Sequence, residues 1–199
     1  MLELILGTVF LIYILFIGQL IYGCNRMKRF SKKEFTPKTS FTIVVPFRNE
    51  KENLPNLLHS ISLLNYPIEL VEIILVDDDS EEVFSVQDLV FSLKVIKNDR
   101  KSNSPKKDAI ETAIQVAKND WIITTDADCL IQKDWLTTFD QYIQENEVEM
   151  VASGVCYVPK SGFLSAFQNL DFLSLQGATI GSFGINQPFM CNGANFAYS

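Results

Sequence analysis

The first hydrophobic feature of the chain is an almost unbroken apolar run over residues 2–23, interrupted only by Glu3, Thr8 and Gln19. About 20 apolar residues in a helix span the hydrocarbon core of a bilayer. A cleaved signal peptide is the alternative, but it requires a positively charged start and a small-residue cleavage site. Here an acidic residue stands near the start, and the polar residues that follow contain no Ala-x-Ala. The pattern therefore favours a retained transmembrane anchor over residues 1–24.

The chain becomes basic and polar directly after the anchor. Five basic side chains follow the apolar run: Arg26, Lys28, Arg29, Lys32 and Lys33. Positive charges accumulate on the cytoplasmic side of a membrane span. We therefore expect a single-pass membrane protein in which residues 25–40 form a polar juxtamembrane linker and the chain from Phe41 onward lies in the cytoplasm.

Short apolar runs alternate with helical periodicity from Phe41 onward. Apolar, often β-branched runs predict strands over residues 41–47, 71–76, 93–96, 121–125 and 149–158. Apolar positions at helical spacing predict helices over residues 50–64, 105–118 and 135–145, with a further helix over 80–90. This alternation indicates an α/β domain with a mostly parallel sheet flanked by helices. Ligands of such sheets bind at the carboxyl ends of the strands.

Residues 163–185 form a second apolar and aromatic segment. Its composition favours a core helix. The alternative is an interfacial segment that rests on the membrane near a lipid acceptor.

Composition and net charge argue against two functions, nucleic-acid binding and zinc binding. The net charge of -7 over 199 residues argues against nucleic acid as a partner. The four cysteines form no Cys-x-x-Cys pair and His59 is the single histidine, so a zinc site of the usual spacing is not expected. Scattered cysteines fit a reducing cytosol.

Three adjacent carboxylates, Asp77 to Asp79, follow the second predicted strand. An acidic turn that caps the next helix would explain one of them. A carboxylate at the end of a central strand can also accept hydrogen bonds from a base or a ribose. We expect ligand binding at this acidic turn.

A second acidic pair, Asp126 and Asp128, follows the fourth predicted strand as Asp-Ala-Asp. Mg²⁺ and Mn²⁺ prefer oxygen ligands and commonly take one or two protein carboxylates together with phosphate oxygens. Asp-x-Asp is frequent in loops, but its position after an apolar strand favours a metal site.

Lys106 lies in the first turn of the helix predicted over residues 105–118, just after Pro105. A helix N-terminus with a lysine beside it attracts phosphate. For Lys101 and Lys107 a solvated basic turn is the favoured interpretation. For Lys106, phosphate binding and a solvated turn remain equal alternatives.

Four of these segments together carry a family resemblance. They are VVPFRNE (44–50), LVDDDS (75–80), the Lys106 helix and TDADC (125–129). Their order and spacing resemble those of the large inverting family of nucleotide-sugar glycosyltransferases, which includes cellulose and hyaluronan synthases and ceramide glucosyltransferases. The resemblance covers the chain from about Phe41 to its end. It implies a GT-A fold, a UDP- or GDP-sugar donor, a lipid or glycan acceptor, and Mn²⁺ or Mg²⁺.

The resemblance also implies site residues. The nucleotide-binding half would be residues 41–130, and the acceptor half would begin at 131 and run to 199. The residues expected to bind the nucleotide-sugar are Pro46, Phe47, Arg48, Glu50, Asp78, Lys106 and Asp126. Asp128, with Asp126, would bind the metal that bridges the diphosphate. A loop that includes Asn192, Gly193, Ala194 and Asn195 would contact the acceptor or the donor sugar.

These motifs do not identify the residue that would act as the general base. In similar enzymes it is a carboxylate that follows a loop like residues 191–196, and this sequence ends at Ser199. We therefore expect either a fragment whose base lies beyond Ser199 or a departure from the family pattern. Asp171, the one acidic residue after Glu149, is a poor candidate, and the Gln-x-x-Arg-Trp motif of processive synthases is absent.

Two other functions remain open. A non-catalytic, membrane-tethered module that binds nucleotide-sugars would keep the nucleotide site without the base. A sugar nucleotidyltransferase would usually carry a glycine-rich phosphate loop after the first strand. Residues 46–50 are Pro-Phe-Arg-Asn-Glu instead, which argues against it.

Overall fold

A computed structural model describes residues 1–82, 84, 92–158 and 160–199 of the chain. The described residues divide into two compact units. The first comprises residues 1–30 and 154–192, and the second comprises residues 31–153 and 193–199.

The second unit is built on a mixed sheet, to which the described residues contribute six strands in the order β3-β2-β1-β4-β6-β5. The strands are β1 Phe41–Phe47, β2 Val71–Asp77, β3 Ser92–Lys97, β4 Trp121–Thr124, β5 Met150–Ala152 and β6 Phe196–Tyr198. The first four are parallel, and β6 is antiparallel to both β4 and β5. The prediction of a mostly parallel α/β sheet is confirmed.

Helices cover both faces of this sheet. They are α2 Leu54–Ser62, α3 Pro105–Ile114 and α4 Trp135–Glu145, with short 3₁₀ turns at Ile68–Leu70 and Gly193–Asn195. Successive strand residues point to opposite faces. Ile43 and Ile73 therefore pack in one core with α2 and α4, whereas Val44 and Ile74 pack in a second core with Ala109 of α3.

Some predicted bounds differ from the structure. The first helix begins at Leu54 rather than at residue 50, after a turn that ends at Asn53. The helix at Pro105 ends at Ile114 instead of residue 118. The strand predicted over 149–158 is shortened to β5, and β6 was not predicted. The helix predicted over 80–90 falls largely outside the described residues.

Residues 31–40 of the segment predicted as a linker belong to the folded sheet unit. Asp140 of α4 is fully buried and accepts hydrogen bonds from the backbone N–H groups of Lys38 and Thr39, at 2.9 and 3.3 Å. The Thr39 hydroxyl (2.5 Å) and the Tyr66 hydroxyl (2.8 Å) donate to the same carboxylate. This carboxylate therefore fixes the chain just before β1 against α4. Burial, and then the hydrogen bond to Asp140, raise the pKa of Tyr66.

The first unit consists mainly of two helices, α1 Leu2–Arg26 and α5 Phe163–Gly184. Among the described residues, α1 is the one helix whose length and apolar composition would allow it to cross a membrane. The segment predicted over 163–185 is helical, but its interpretation as a core helix is wrong. Most of its large apolar side chains are solvent-exposed, by 87% for Phe163 and 69% for Leu170.

Candidate functional site

A cleft of about 480 Å³ opens at the carboxyl ends of β1, β2 and β4. Polar side chains from the ends of these strands and from the start of α3 meet there. The lining residues are Pro46, Phe47, Arg48, Glu50, Asp78, Pro105, Lys106, Asp126, Ala127 and Asp128. The eight residues predicted to bind nucleotide-sugar or metal thus lie in one cleft, although they come from separate parts of the sequence.

The loops after β1 and β2 are tied to each other beside the cleft. The backbone N–H of Asn49 donates to the Ser80 hydroxyl, and the Glu81 N–H donates to the side-chain oxygen of Asn49, each at 2.9 Å. Asn49 and Asp79 have φ angles of 57° and 67°. Asparagine and aspartate adopt this left-handed conformation more readily than most residues. These hydrogen bonds therefore fix the loop after β1 against the loop that contains Asp78.

Asp78 is 8% exposed and is held by two side chains that follow β3. Arg100 donates from Nε to Oδ1 at 2.6 Å and from Nη2 to Oδ2 at 2.7 Å. Asn98 donates to Oδ1 at 2.6 Å. The Arg100 guanidinium lowers the pKa of Asp78 from its ordinary value, the Asn98 bond lowers it further, and burial opposes both. Asp78 is therefore a fixed anion in the wall of the cleft.

The start of α3 is fixed by the same group of residues. The Asn98 side-chain amide also donates to the carbonyl of Pro105 at 3.0 Å. Asp108, which is buried, accepts bonds from the Ser102 N–H and the Ser102 hydroxyl, both at 2.8 Å, and from the Lys101 N–H at 3.0 Å. The Ser102 N–H is the main cause of the lowered pKa of Asp108. This loop therefore positions Lys106 in the first turn of α3.

Lys106 is paired with the first aspartate of the Asp-x-Asp sequence. Its Nζ lies 2.5 Å from Oδ1 of Asp126, whereas Asp128 is exposed. In the described part of the chain, no three His, Cys, Asp or Glu side chains are grouped as metal ligands. Two carboxylates in this cleft suit Mg²⁺ or Mn²⁺, which commonly take one or two carboxylates and complete their shell with phosphate oxygens and water. A cation at Asp126 would compete with the Lys106 ammonium for the same oxygens.

The loop predicted to contact acceptor or donor sugar is not part of the cleft lining. The Thr124 hydroxyl donates to the Gly193 carbonyl at 2.6 Å, and the Trp135 indole N–H donates to the Asn195 side chain at 2.8 Å. Ala194 is buried beside β4. These bonds support the antiparallel strand β6. Asn192 belongs to the unit that contains α1 and α5.

Asn98, Arg100 and Asp108 were not predicted as site residues. Asn98 and Arg100 directly follow β3, at the edge of the sheet where the carboxyl ends of the strands meet. The rule that led to Asp78 and Asp126 therefore applied to them as well. Lys101 and Lys107 form exposed ion pairs with Asp99 and Glu111, in agreement with the solvated turn that was favoured for them.

Comparison with known proteins places this cleft in a family context. The family model for Glycosyl transferase family 2 matches residues 42–196. A similar curated protein is the poly-beta-1,6-N-acetyl-D-glucosamine synthase of Staphylococcus aureus (strain COL), which is 24% identical over 171 residues. That match covers 83% of this chain and 40% of the synthase. The chain therefore spans well under half the length of this relative.

Solved structures show the same fold. S. aureus TarS 1–349, solved also in complex with UDP-GlcNAc, matches with a TM-score of 0.51 and 23% identity over 63% of this chain and 38% of TarS 1–349. The mannosyltransferase PcManGT of Pyrobaculum calidifontis, solved with GDP-Man and Mn²⁺, matches with a TM-score of 0.58 and 20% identity, over 92% of this chain and 52% of PcManGT. The sheet order, the flanking helices and these matches define a GT-A fold. The chain belongs to glycosyl transferase family 2.

Proposed function

We propose that the chain is a membrane-anchored glycosyltransferase. In this proposal the cleft binds a UDP- or GDP-sugar together with Mn²⁺ or Mg²⁺, and the sugar is transferred with inversion to a glycan or lipid acceptor. The single observation that carries the proposal is the meeting of Asp78, Lys106, Asp126 and Asp128 in one cleft at the ends of three parallel strands.

The nucleoside end of the donor is assigned to Asp78. Three described hydrogen bonds from Asn98 and Arg100 occupy its carboxylate. A carboxylate offers about four acceptor sites. About one site therefore remains for a base N–H or a ribose hydroxyl. The hydrogen bonds from Asn98 and Arg100, together called the clamp on Asp78, orient that site before the ligand arrives. Such preorganisation avoids ordering the side chain during binding.

The diphosphate end is assigned to Lys106, Asp126 and Asp128. The Lys106 ammonium stands in the first turn of α3, where the helix N-terminus also favours negative charge. When bound, a divalent cation would neutralise charge on the departing diphosphate. Asp128, which is exposed, and Asp126 supply the carboxylates for it. The Lys106 ammonium, released from Asp126, would then pair with a donor phosphate.

The membrane anchor is assigned to α1. Its side chains from Leu2 to Leu15 are exposed, and the helix is long enough for a bilayer. The basic residues that follow it favour a cytoplasmic position for the cleft. UDP- and GDP-sugars are the proposed donors because structures of similar proteins contain UDP-GlcNAc and GDP-Man. Glycan synthesis by a similar protein supports a glycan acceptor.

The test is donor turnover by the purified chain in detergent. A panel of UDP- and GDP-sugars is incubated with Mn²⁺, and the release of nucleoside diphosphate is measured. We expect release with one donor class, and a loss of release on Asp128→Asn or on addition of EDTA. Asp120→Asn, at a carboxylate before β4 and outside the cleft lining, is the matched control. Binding of a donor without any release above the Asp128→Asn background would contradict the enzymatic proposal and favour a binding module.

A further inference from the structure

We propose that α5, with the residues that follow it to Met190, is embedded in the membrane beside the C-terminal turns of α1. Lipid acyl chains would then cover its exposed apolar face. This inference rests on the proposed function only for the anchor α1, and it goes beyond it by assigning a second segment to the bilayer.

The two helices pack backbone to backbone through glycines. A Cβ added at Gly23 would lie 2.0 Å from the Gly181 carbonyl oxygen, and one added at Gly184 would lie 2.0 Å from the Gly23 carbonyl oxygen. A Cβ at Gly181 would lie 2.4 Å from the Leu20 carbonyl oxygen. Interfaces of small residues that let helix backbones approach closely are typical of helices that associate in lipid. The α5 helix is therefore packed against the C-terminal end of α1, which is itself long and apolar enough for a bilayer.

An aromatic contact sets the depth of the segment. The ring of Phe189 lies 6.3 Å from the ring of Phe16, centroid to centroid. Phe16 precedes Arg26 by ten residues, which at about 1.5 Å per residue is roughly 15 Å along α1. If α1 spans the bilayer with Arg26 at the surface, Phe16 lies within the hydrocarbon. Phe189 beside it shares that depth.

The exposed apolar side chains of α5 continue the face that contacts α1. Positions 163, 167, 170, 174, 177, 181 and 184 recur at alternating spacings of four and three, so they share one side of the helix. Gly181 and Gly184, at the C-terminal end of this series, contact α1. Phe163, Phe167 and Leu170 at its other end are exposed, as are Leu173 and Leu175 nearby. An apolar surface of this extent on one helix marks a membrane or partner surface.

The end of α5 satisfies its backbone donors internally, as apolar surroundings require. The N–H groups of Ile185, Asn186 and Gln187 donate to carbonyls of the last turns of α5 at 2.9–3.1 Å. Asn186 has a φ of 57°, the left-handed conformation typical of a helix C-terminus. Asp171 and the neighbouring amides make α5 too polar for a full span, which places the segment at the bilayer interface.

The full chain, reconstituted in phosphatidylcholine vesicles, provides the test. The photoreactive residue 4-benzoylphenylalanine is introduced singly at Phe167, at Leu11 of α1 and at His59, an exposed residue of α2. After irradiation, lipid adducts are measured by mass spectrometry. We expect lipid adducts at Phe167 in a yield comparable with the yield at Leu11, and no lipid adducts at His59.

The other cross-linking results distinguish failure of the α5 inference from failure of the α1 anchor. Adducts at Leu11 without adducts at Phe167 would overturn the inference about α5 and leave the anchor in place. Cross-linking of Phe167 to a second copy of the chain, or to another part of it, instead of to lipid would overturn the inference as well. An absence of adducts at both positions would overturn the inference about α5 together with the membrane anchor of the proposed function.

Discussion

The clamp on Asp78 makes the substitution Asp78→Asn informative. Arg100 and Asn98 hold the carboxylate through three hydrogen bonds of 2.6–2.7 Å, and the residue is 8% exposed. Asparagine keeps the shape of the side chain but removes its charge and one acceptor oxygen. The bidentate pair with Arg100 is therefore lost, while the packing is preserved.

The expected loss follows from the kind of bond that is removed. Hydrogen bonds to a charged group contribute about 1.5–3 kcal/mol. The Arg100 side chain retains 41% exposure, so water can replace part of the interaction and the lower half of this range applies. We expect Asp78→Asn to lower the free energy of unfolding of the sheet unit by about 2 kcal/mol, which is roughly 4–8 °C in the melting temperature.

The dependence on pH gives this loss a signature. The folded-state pKa of Asp78 lies below its ordinary value of 3.8. The stabilisation is therefore fully present above that value and is lost as the pH falls through the folded-state pKa. The difference in stability between the native chain and Asp78→Asn should be constant above about pH 5 and should close at acidic pH below the ordinary value.

Tryptophan fluorescence is a suitable assay, because Trp121 and Trp135 both belong to the sheet unit. Asp79→Asn is the matched control: Asp79 is exposed, and asparagine accepts its left-handed φ of 67°. We expect that control to change stability by less than about 0.5 kcal/mol. Equal melting of the two variants, or a difference that persists at acidic pH, would refute the assigned role of the Asp78 carboxylate.

Three further substitutions test other contacts. Gly181→Ala should loosen α5 from α1 and raise hydrogen exchange in the C-terminal turns of α1, whereas Gly177→Ala, which meets open space, should not. Lys106→Met should increase Mn²⁺ affinity without nucleotide, measured by electron paramagnetic resonance, because it frees an aspartate of the Asp-x-Asp sequence; Lys107→Met should leave that affinity unchanged. Asp140→Asn should weaken its buried hydrogen bonds, lower stability by about 2 kcal/mol and expose residues 31–40 to protease.

The strands of the sheet centre were the most predictable part of the fold. A parallel strand buried on both faces has a continuous apolar run, which is visible without any alignment. The predicted range 41–47 agrees with β1, and the range 71–76 differs from β2 by one residue. Because the ends of these strands were nearly correct, Asp78 and Asp126 could be placed at one edge of the sheet.

The antiparallel edge was not predictable in the same way. Strand β6 is three residues long, and its partners β4 and β5 lie far from it in sequence. So short a segment has too few positions for a local period to distinguish a strand from a loop. The sequence therefore predicted a loop around Asn195, where the structure has a 3₁₀ turn that leads into β6.

The partners of a carboxylate were the third part that sequence alone could not supply. Arg100 was visible only as one member of a basic cluster, and its bond to Asp78 joins residues 22 positions apart. Likewise, the apolar composition of residues 163–185 predicted a helix correctly but did not distinguish burial in a core from exposure. Apolar composition shows that a segment tends to remove its side chains from water. It does not show whether the protein core, a membrane or a partner covers them.

Equilibrium dialysis tests the central claim most directly, namely that the cleft binds a nucleotide-sugar through the Asp-x-Asp aspartates and a divalent cation. Radiolabelled UDP-GlcNAc and GDP-mannose are dialysed against the full chain with Mn²⁺ or with EDTA, and against Asp128→Asn with Mn²⁺. We predict stoichiometric binding of one nucleotide class by the native chain, and weak binding both with EDTA and by Asp128→Asn. Binding of neither donor by the native chain, or equal binding by Asp128→Asn in Mn²⁺, would contradict the account.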